Sequence, residues 1–227
     1  RGEYYSESSN LQKAIDEAYA NNLIGKNACG TGWDFDIYLH RGAGAYICGE
    51  ESAMIESIEG KRGLPRHRPP YISEKGLFEK PTLNHNIETL IWIPEILRKG
   101  SNWFLNQGWT KNNYGLRSFS VSGRVKFPGV KIAPAGIPLD DLININCGGM
   151  QKGHKLKAFF PGGASGGIFP AKYAKNPMDF GIWESKGGFI GSHAVVILSD
   201  KDDVLSAVKN TINFYIFVKF YFFTKNM

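Results

Sequence analysis

The sequence predicts an α/β protein built from two successive folded parts. The first observation is a strand-like run at residues 35–41, which leads directly into the glycine-rich stretch RGAGAYICGEES (41–52) and a helical pattern. The second is a group of short strands with one helix between residues 116 and 200, which fits a compact β-grasp-like module. The third is a helical pattern that begins near residue 203. The 227 residues, 42% of them apolar, suffice for one large domain or two modest ones.

The first elements are a helix and a strand. A helix is predicted over residues 11–20, after a Ser-Glu-Ser-Ser-Asn cluster that can cap it, because Leu11, Ile15 and Ala18 fall on one helical face. The strand at residues 35–41 is predicted because apolar and polar side chains alternate in FDIYLHR.

A long irregular segment separates two predicted helices. Residues 51–60 have a helical pattern that Gly60 ends. Residues 61–90 contain four prolines, which rule out a regular helix, and their aromatic content favours an ordered, functional loop. A helix follows over residues 86–100, with a kink or break expected at Pro94.

The second half is predicted to contain a small sheet. Residues 116–143 indicate two strands around a turn at 127–129, and then a helix that begins at 138–141. Further strands are predicted within residues 155–163 and 187–200.

Composition and charge argue against several functional classes. The net charge of +6 comes from scattered Lys and Arg without a basic stripe, which argues against nucleic-acid binding and suits an anionic cofactor better. Cys29, Cys48 and Cys147 lie far apart, which argues against a disulfide scaffold and for a reducing compartment. Cys48 is predicted to be a buried structural thiol, and His154 and His193 have no metal partner in the sequence. The first residues contain neither an initiator Met nor a signal sequence, so we expect the chain to begin inside a larger protein.

The glycine-rich stretch leaves two interpretations open on its residues alone. Its glycines allow a ligand to approach the backbone, and the N–H groups that begin the next helix favour an anion. The spacing is not that of the G-x-G-x-x-G fingerprint, so a tight turn without a ligand explains it equally well. Glu50 and Glu51 suit a first helical turn, but they could also orient a ribose hydroxyl or a cationic ring.

Longer segments carry a family resemblance. RGAGAYICGEESAMIESIEGKRGLPRHRPPY, followed by KPTLNHNIETL, closely resembles the NADH-binding flavoprotein subunit of the complex I 51-kDa family. The segments SFSVSGRVKFPGVKIAPAGIPLDDLI, CGGMQKGHKLKAFFPGGASGGIFPA and FIGSHAVVILSDKD are more similar to the beta (diaphorase) subunit of NAD-dependent formate dehydrogenases. The resemblance leaves these two branches open.

The resemblance implies a fold and a reaction. It implies a partial Rossmann-like FMN/NADH-binding domain over residues 1–110, a β-grasp (ubiquitin-like, SLBB-type) domain over 111–200 and the start of a helical iron–sulfur domain over 201–227. Members of the family pass a hydride from NADH to FMN and then single electrons to iron–sulfur clusters. No general acid or base is needed, because the protein supplies binding and orientation.

The resemblance also implies the site residues. It assigns the following residues to the FMN and nicotinamide site: Gly44, Tyr46, Gly49, Glu50, Glu51, Tyr71, Asn84, His85 and Asn86. Glu51 is expected to act in catalysis by tuning the electrostatics beside the flavin ring. Tyr71 stands where the family usually has Phe, and His85 where it commonly has a small or amide residue. The basic group Lys61, Arg62, Arg66, His67 and Arg68 is either a solvated loop or a contact for dinucleotide phosphate or a partner subunit.

Two family motifs are absent from the sequence. These are the glycine-rich GRGGAGFPTG segment and the S-C-G-x-C-x-P-C-R motif, which holds the [4Fe–4S] cluster in full-length members and which the three cysteines do not replace. We therefore expect a fragment that uses FMN and NAD(H), with an iron–sulfur partner subunit of the 24-kDa thioredoxin-like type. The expected location is the cytoplasm or the cytoplasmic or matrix side of the inner membrane, without insertion. The alternative is a catalytically incompetent truncated fragment that serves at most as a folded binding or assembly module.

Overall fold

A computed structural model describes residues 2–43 and 46–223, with side chains to residue 216. By packing, the chain divides into two units, Arg1–His85 and Asn86–Met227. The predicted domain boundaries at residues 110 and 200 stay predictions. Within the described part of the chain, no helix is long and apolar enough to cross a membrane.

The first unit contains two α-helices joined by irregular chain. Helix α1 spans Tyr5–Ala20 and buries Ile15. It therefore begins earlier than predicted, and the expected N-terminal cap is wrong. The hydroxyls of Ser8 and Ser9 donate to the carbonyl oxygen of Tyr5, so they bond within the first turn of the helix and do not cap it.

The predicted strand at residues 35–41 is also wrong. Only Phe35 pairs with another backbone segment there, in an isolated antiparallel bridge to Gly25. A strand needs a partner for its row of N–H and C=O groups, and the described part of the first unit supplies one only at this residue. The Rossmann-like character of this unit stays a prediction.

Helix α2 spans Glu51–Ile58 and confirms the helix predicted after the glycine-rich stretch. Ala53 and Ile55 are buried. Gly60 has a φ of 77° and follows the end of the helix, as predicted.

The second unit opens with three short helices. They are α3 (Ile87–Ile91), α4 (Ile93–Lys99) and α5 (Ser101–Leu105). Pro94 lies in the first turn of α4, where its missing N–H costs no hydrogen bond. The predicted break near Pro94 is confirmed.

A mixed five-stranded sheet forms the centre of the second unit. Its strands are β1 (Leu116–Gly123), β2 (Gly129–Pro134), β3 (Leu156–Phe160), β4 (Phe169–Pro170) and β5 (Ala194–Ser199). The strand order is β2-β1-β5-β3-β4. Strand β5 runs parallel to β1 and antiparallel to β3. The predicted α/β class is confirmed, and the SLBB-type assignment stays a prediction.

One helix and one aromatic cluster fill the core beneath this sheet. Helix α6 (Leu139–Asp141) continues as a π-helical turn over Leu142–Asn146 and buries Leu139 and Leu142. Trp183 is fully buried, and its indole N–H donates to the carbonyl oxygen of Pro177 over 3.1 Å. Each large apolar side chain buried here contributes roughly 1.5–3 kcal/mol to folding. Helix α7 (Val204–Phe223) follows the sheet, as the pattern near residue 203 predicts.

Candidate functional site

The glycine-rich stretch forms a short turn that leads into α2. Tyr46–Gly49 is a single 3-10 turn. A Cβ atom at Gly42 or at Gly49 would meet no heavy atom within 4 Å, so the backbone faces open space at both glycines. Gly44, which the sequence assigns to the site, lies outside the described residues.

Glu50 is the N-cap of α2. Its Oε2 atom accepts hydrogen bonds from the backbone N–H of Ala53 over 2.9 Å and from the hydroxyl of Ser52 over 2.6 Å. Ser52 is buried, and its Oγ atom accepts from the backbone N–H of Arg66 over 3.0 Å. Glu50 thus fixes the start of the helix and, through Ser52, the loop that returns beside it.

Arg68 joins the two adjacent carboxylates. Its Nη2 atom lies 2.7 Å from Oε1 of Glu50 and 2.5 Å from Oε1 of Glu51. All three side chains are about one-third exposed or slightly more. One guanidinium therefore offsets half of the negative charge of the carboxylate pair and weakens its repulsion of a nearby anion.

The surroundings of Glu50 shift its titration. Burial acts to raise the pKa of its carboxyl group, but the hydrogen bonds from Ser52 and Ala53, together with the charge of Arg68, outweigh that effect. The pKa of Glu50 is therefore lowered, and its carboxylate is ionised near neutral pH.

Arg66 holds the loop after α2 against the helix. Its guanidinium bonds Glu56 over 2.5 Å and Glu59 over 3.2 Å, and it donates to the carbonyl oxygen of Gly76 over 3.1 Å. Hydrogen bonds to Glu59 from Lys61, from the backbone N–H of Phe78 and from Arg66 lower the pKa of Glu59 to about 2. This network orders the segment that carries Arg68.

The ordered loop presents an aromatic side chain. Tyr71 is 57% exposed, and its backbone N–H donates to the carboxylate of Glu74 over 3.0 Å. Tyr46, on the 3-10 turn, is 58% exposed. The exposed ring of Tyr71 therefore offers a face on which a flat ligand can stack.

The polar run at residues 84–86 is exposed and divided between the two units. Asn84 and His85 end the first unit. Asn86 opens the second unit as the N-cap of α3, where its Oδ1 atom accepts from the backbone N–H of Glu88 over 2.9 Å.

The ion pairs of the basic group at residues 61–68 were not predicted from the sequence. The two interpretations are a solvated loop and a contact for dinucleotide phosphate or a partner subunit. In the structure, Arg66 and Arg68 are paired with acidic residues in α2 or directly before and after it. The available signal was the block of glutamates at residues 50–59 followed by basic residues at 61–68.

Other singled-out residues have structural surroundings. Cys48 is half-buried rather than fully buried, and Gly63 lies directly against its sulfur. His154 bonds the hydroxyl of fully buried Ser199. No group of three His, Cys, Asp or Glu side chains able to hold a metal ion occurs among the described residues.

The site residues therefore form a polar turn that is suited to binding a ligand rather than to acid–base or nucleophilic catalysis. It combines open backbone at Gly49, exposed aromatic rings and a carboxylate pair bridged by Arg68. Such an arrangement can bind and orient a flat, polar ligand, while no nucleophile–base pair is present among these residues.

Comparison with protein families gives a match over residues 1–95. The matching family model is described as the Nuo51 FMN-binding domain of the complex I 51-kDa type. The match includes the Tyr46–Gly49 turn, α2 and Tyr71.

Curated relatives cover almost the whole chain. The chain is 45% identical over 216 residues to an NADH-quinone oxidoreductase subunit of Rickettsia typhi, and the aligned part spans 95% of this chain and 51% of the relative. It is 44% identical over 217 residues to the corresponding protein of Rickettsia bellii, with 95% and 52% covered. The chain thus spans about half the length of the curated relatives it matches.

The chain is also similar to chains of solved structures. A chain of an NAD+-reducing [NiFe]-hydrogenase in the H2-reduced state matches with a TM-score of 0.67 and 33% identity, over 78% of this chain and 29% of the other. The air-oxidised state of such a hydrogenase matches with a TM-score of 0.65 and 34% identity, over the same shares.

Proposed function

We propose that this chain is part of an NADH-oxidising flavoprotein of the complex I 51-kDa family, because its residues 1–95 match the FMN-binding domain of that family. The observation that carries the proposal is the match of the FMN-binding domain over the segment in which Arg68 bridges Glu50 and Glu51. The relatives' names supply the activity, and the geometry supplies residues able to contact a flavin and a dinucleotide.

The residues present fit part of an FMN site. The backbone at Gly49 is open to a close ligand, and the exposed ring of Tyr46 begins the same turn. Asn84 and His85 add exposed polar side chains in the same unit. Glu50 and Glu51 disfavour a phosphate beside them, and Arg68 offsets half of their negative charge.

When bound, FMN supplies a ring that accepts a hydride and releases electrons one at a time. The chain's own residues bind and orient. Glu51 would set the local charge beside the bound rings, while Glu50 holds the turn by capping α2. The exposed ring of Tyr71 would pack against the dinucleotide. Hydride transfer needs this alignment and no protonated side chain at the reacting atoms.

Iron–sulfur centres on partner chains, of which a 24-kDa-type subunit is one, would accept the electrons from this protein. The relatives are named as subunits of NADH-quinone oxidoreductase, which favours the complex I branch over formate dehydrogenase. The location that follows is the cytoplasmic or matrix side of the inner membrane. Genes adjacent to this one, either for membrane proton-pump subunits or for a molybdenum formate dehydrogenase, test the choice.

The second candidate function is a folded binding or assembly module without catalysis. The observation that favours it is the pairing of Arg68 with Glu50 and Glu51, which gives these three side chains a structural role within the chain. Reconstitution with FMN separates the two. The proposed enzyme retains flavin absorbance after gel filtration and reduces ferricyanide with NADH, whereas a folded chain that does neither supports the module.

The variant Glu51→Gln tests the role of this carboxylate in the same assay. We expect the rate of NADH-dependent ferricyanide reduction to fall about tenfold, since a charge beside the reacting rings is lost. Glu17→Gln, on the exposed surface of α1, is the matched control with an unchanged rate. Equal rates for both variants would contradict the role of Glu51.

A further inference from the structure

Strand β2 forms an edge of the sheet in the second unit. The strand order β2-β1-β5-β3-β4 leaves it with β1 as its one neighbour among the described strands. Apart from that pairing, the backbone groups of Val130 and Ile132 take part in no hydrogen bond with another described residue. An edge strand with unpaired N–H and C=O groups is a template on which a further strand can pair.

The register between β1 and β2 determines which backbone groups face outward. The N–H of Ala135 donates to the carbonyl oxygen of Gly115 over 2.9 Å, so these two residues form a hydrogen-bonded pair next to the ladder. Hydrogen-bonded and non-hydrogen-bonded pairs alternate along antiparallel strands. Lys131 therefore bonds to β1, whereas Val130 and Ile132 point their N–H and C=O groups away from it.

A second observation supports this alternation. Ser120 lies opposite Val130, and its N–H donates to the carbonyl oxygen of His193, on the side of β1 that faces away from β2. Opposite residues of a non-hydrogen-bonded pair both point their backbone groups outward. The side chains of Val130 and Ile132 are also accessible, being 68% and 57% exposed. The edge is thus open in both its backbone and its side chains.

Two prolines limit the length of this edge. Pro128 directly precedes β2, and Pro134 is its last residue. Neither has an N–H that could extend a ladder, and proline on an edge strand is a common device against the growth of a sheet. The edge therefore suits a short extended segment that pairs around Val130 and Ile132.

Lys131 disfavours a second copy of this chain as that segment. It lies opposite the fully buried Phe119, so its half-buried side chain belongs to the core face of the sheet. Two copies that paired their β2 edges symmetrically through Val130 and Ile132 would bring their Lys131 side chains directly opposite each other. Like charges in such a pair are destabilising, and an inward-pointing charge protects edge strands from self-association.

The charge of the hairpin favours an acidic partner. Residues 116–134 contain Arg117, Arg124, Lys126 and Lys131 but no Asp or Glu. Arg124 is paired with Asp202, whereas Lys126 and Lys131 take part in none of the ion pairs found between described residues. A carboxylate opposite Lys131 would complement this charge.

We propose that β2 binds an extended acidic segment of a partner protein as an added antiparallel strand. The backbone of the segment pairs with Val130 and Ile132, its carboxylate lies opposite Lys131, and apolar side chains on both sides of that carboxylate contact Val130 and Ile132. The recognised pattern is therefore apolar, acidic, apolar. In such strand addition the main chain supplies affinity and the alternate side chains supply specificity.

The peptide acetyl-TVEVT-amide is the probe, titrated into the isotope-labelled 227-residue chain and followed by the NMR shifts of the Val130 and Ile132 amides. We expect a Kd of about 1 mM or tighter, and binding of acetyl-TVKVT-amide that is at least about tenfold weaker. In the proposed register both valines of the peptide direct their N–H groups at β2, and the central glutamate directs its N–H away. N-methylation of either valine should therefore weaken binding at least about tenfold, while N-methylation of the glutamate, the matched control, changes it by no more than about twofold.

Two protein variants test the roles of the edge residues. Lys131→Glu should reverse the preference, so that TVKVT binds more tightly than TVEVT. Lys209→Glu makes the same change of charge on the exposed surface of α7 and is the control that keeps the preference for TVEVT. Ile132→Pro removes one outward N–H without removing a bond to β1, and it should weaken binding about tenfold.

Several results would overturn the proposal. These are absence of saturation at about 10 mM TVEVT, equal affinity for TVEVT and TVKVT, and equal effects of N-methylation at valine and at glutamate. A chain that is a dimer in gel filtration and becomes a monomer with Ile132→Pro would assign the edge to a second copy instead. None of these measurements involves FMN or NADH, so the proposed function stands or falls separately.

Discussion

Arg124 and Asp202 form a two-pronged ion pair across 78 residues of sequence: Nε and Nη2 of Arg124 lie 3.0 and 2.7 Å from Oδ1 of Asp202. The second carboxylate oxygen of Asp202 accepts from the backbone N–H of Ser199 over 2.8 Å and from its hydroxyl over 2.9 Å. The pair therefore ties the residue after β1 to the turn between β5 and α7.

Asp202→Asn should destabilise the chain by about 1–3 kcal/mol at pH 7, since it removes charge-assisted hydrogen bonds from a mostly buried carboxylate. The bonds from Arg124 first, and then those from Ser199, lower the pKa of Asp202. A lowered pKa gives stability that is present above the unfolded value of about 3.9 and is lost as the pH falls through the folded value. The difference in unfolding free energy between the two proteins, measured by denaturant melts, should therefore begin to shrink as the pH falls below about 4. A difference that stays constant down to pH 2 would contradict this.

Gly63→Ala should destabilise the chain by about 1–3 kcal/mol. A Cβ atom at residue 63 would lie 2.5 Å from Sγ of Cys48 and 3.3 Å from the carbonyl oxygen of Ala53. The double variant Gly63→Ala/Cys48→Ala removes the sulfur and should recover part of the loss in thermal unfolding. Gly49→Ala, where a Cβ meets no atom within 4 Å, is the control with little effect.

Glu50→Ala should cost about 0.5–2 kcal/mol, because the N-cap of α2 is lost. Glu50→Asp keeps a residue that caps helices well and should retain most of the stability. Chemical denaturation measures both variants. An Ala variant as stable as the Asp variant would show that the bond to Ala53 does not stabilise the helix.

Arg66→Gln should loosen the loop at residues 62–83, because it removes the contacts to Glu56 and Glu59 and weakens the donation to Gly76. The measurement is the rate of limited chymotrypsin cleavage, which we expect to rise severalfold in this loop. Arg98→Gln breaks a pair with Glu95 on an exposed helix and serves as the control. Equal cleavage of the two variants would argue against a role for Arg66 in ordering the loop.

Local signals in the sequence predicted the elements that depend on neighbouring residues. Gly60 ends α2, Pro94 separates two helices, and a strand predicted after residue 116 forms, with Phe119 and Val121 buried on one face. Each of these depends on backbone geometry or side-chain periodicity within a few residues.

The predictions that were wrong or missing concern contacts between residues that are distant in sequence. The strand predicted at residues 35–41 has the right composition, but only Phe35 finds a backbone partner. The bridge from Arg68 to Glu50 and Glu51 depends on how the loop folds back, which no spacing shows. His193 reads in the sequence as an isolated histidine, and the cavity that it lines exists only once the helices and the sheet have packed.

The central position of β5 sets the order in which the second unit can be completed. Strand β1 pairs with β5 through residues such as Val121 and Val195, and β3 reaches β1 only through β5. During synthesis the β1–β2 hairpin can form early, but the two halves of the sheet stay separate until Ser199 has left the ribosome. Such long-range pairing slows folding. Until then the inward faces of β1 and β3 remain open to chaperones or to wrong partners, and one late strand closes the whole sheet.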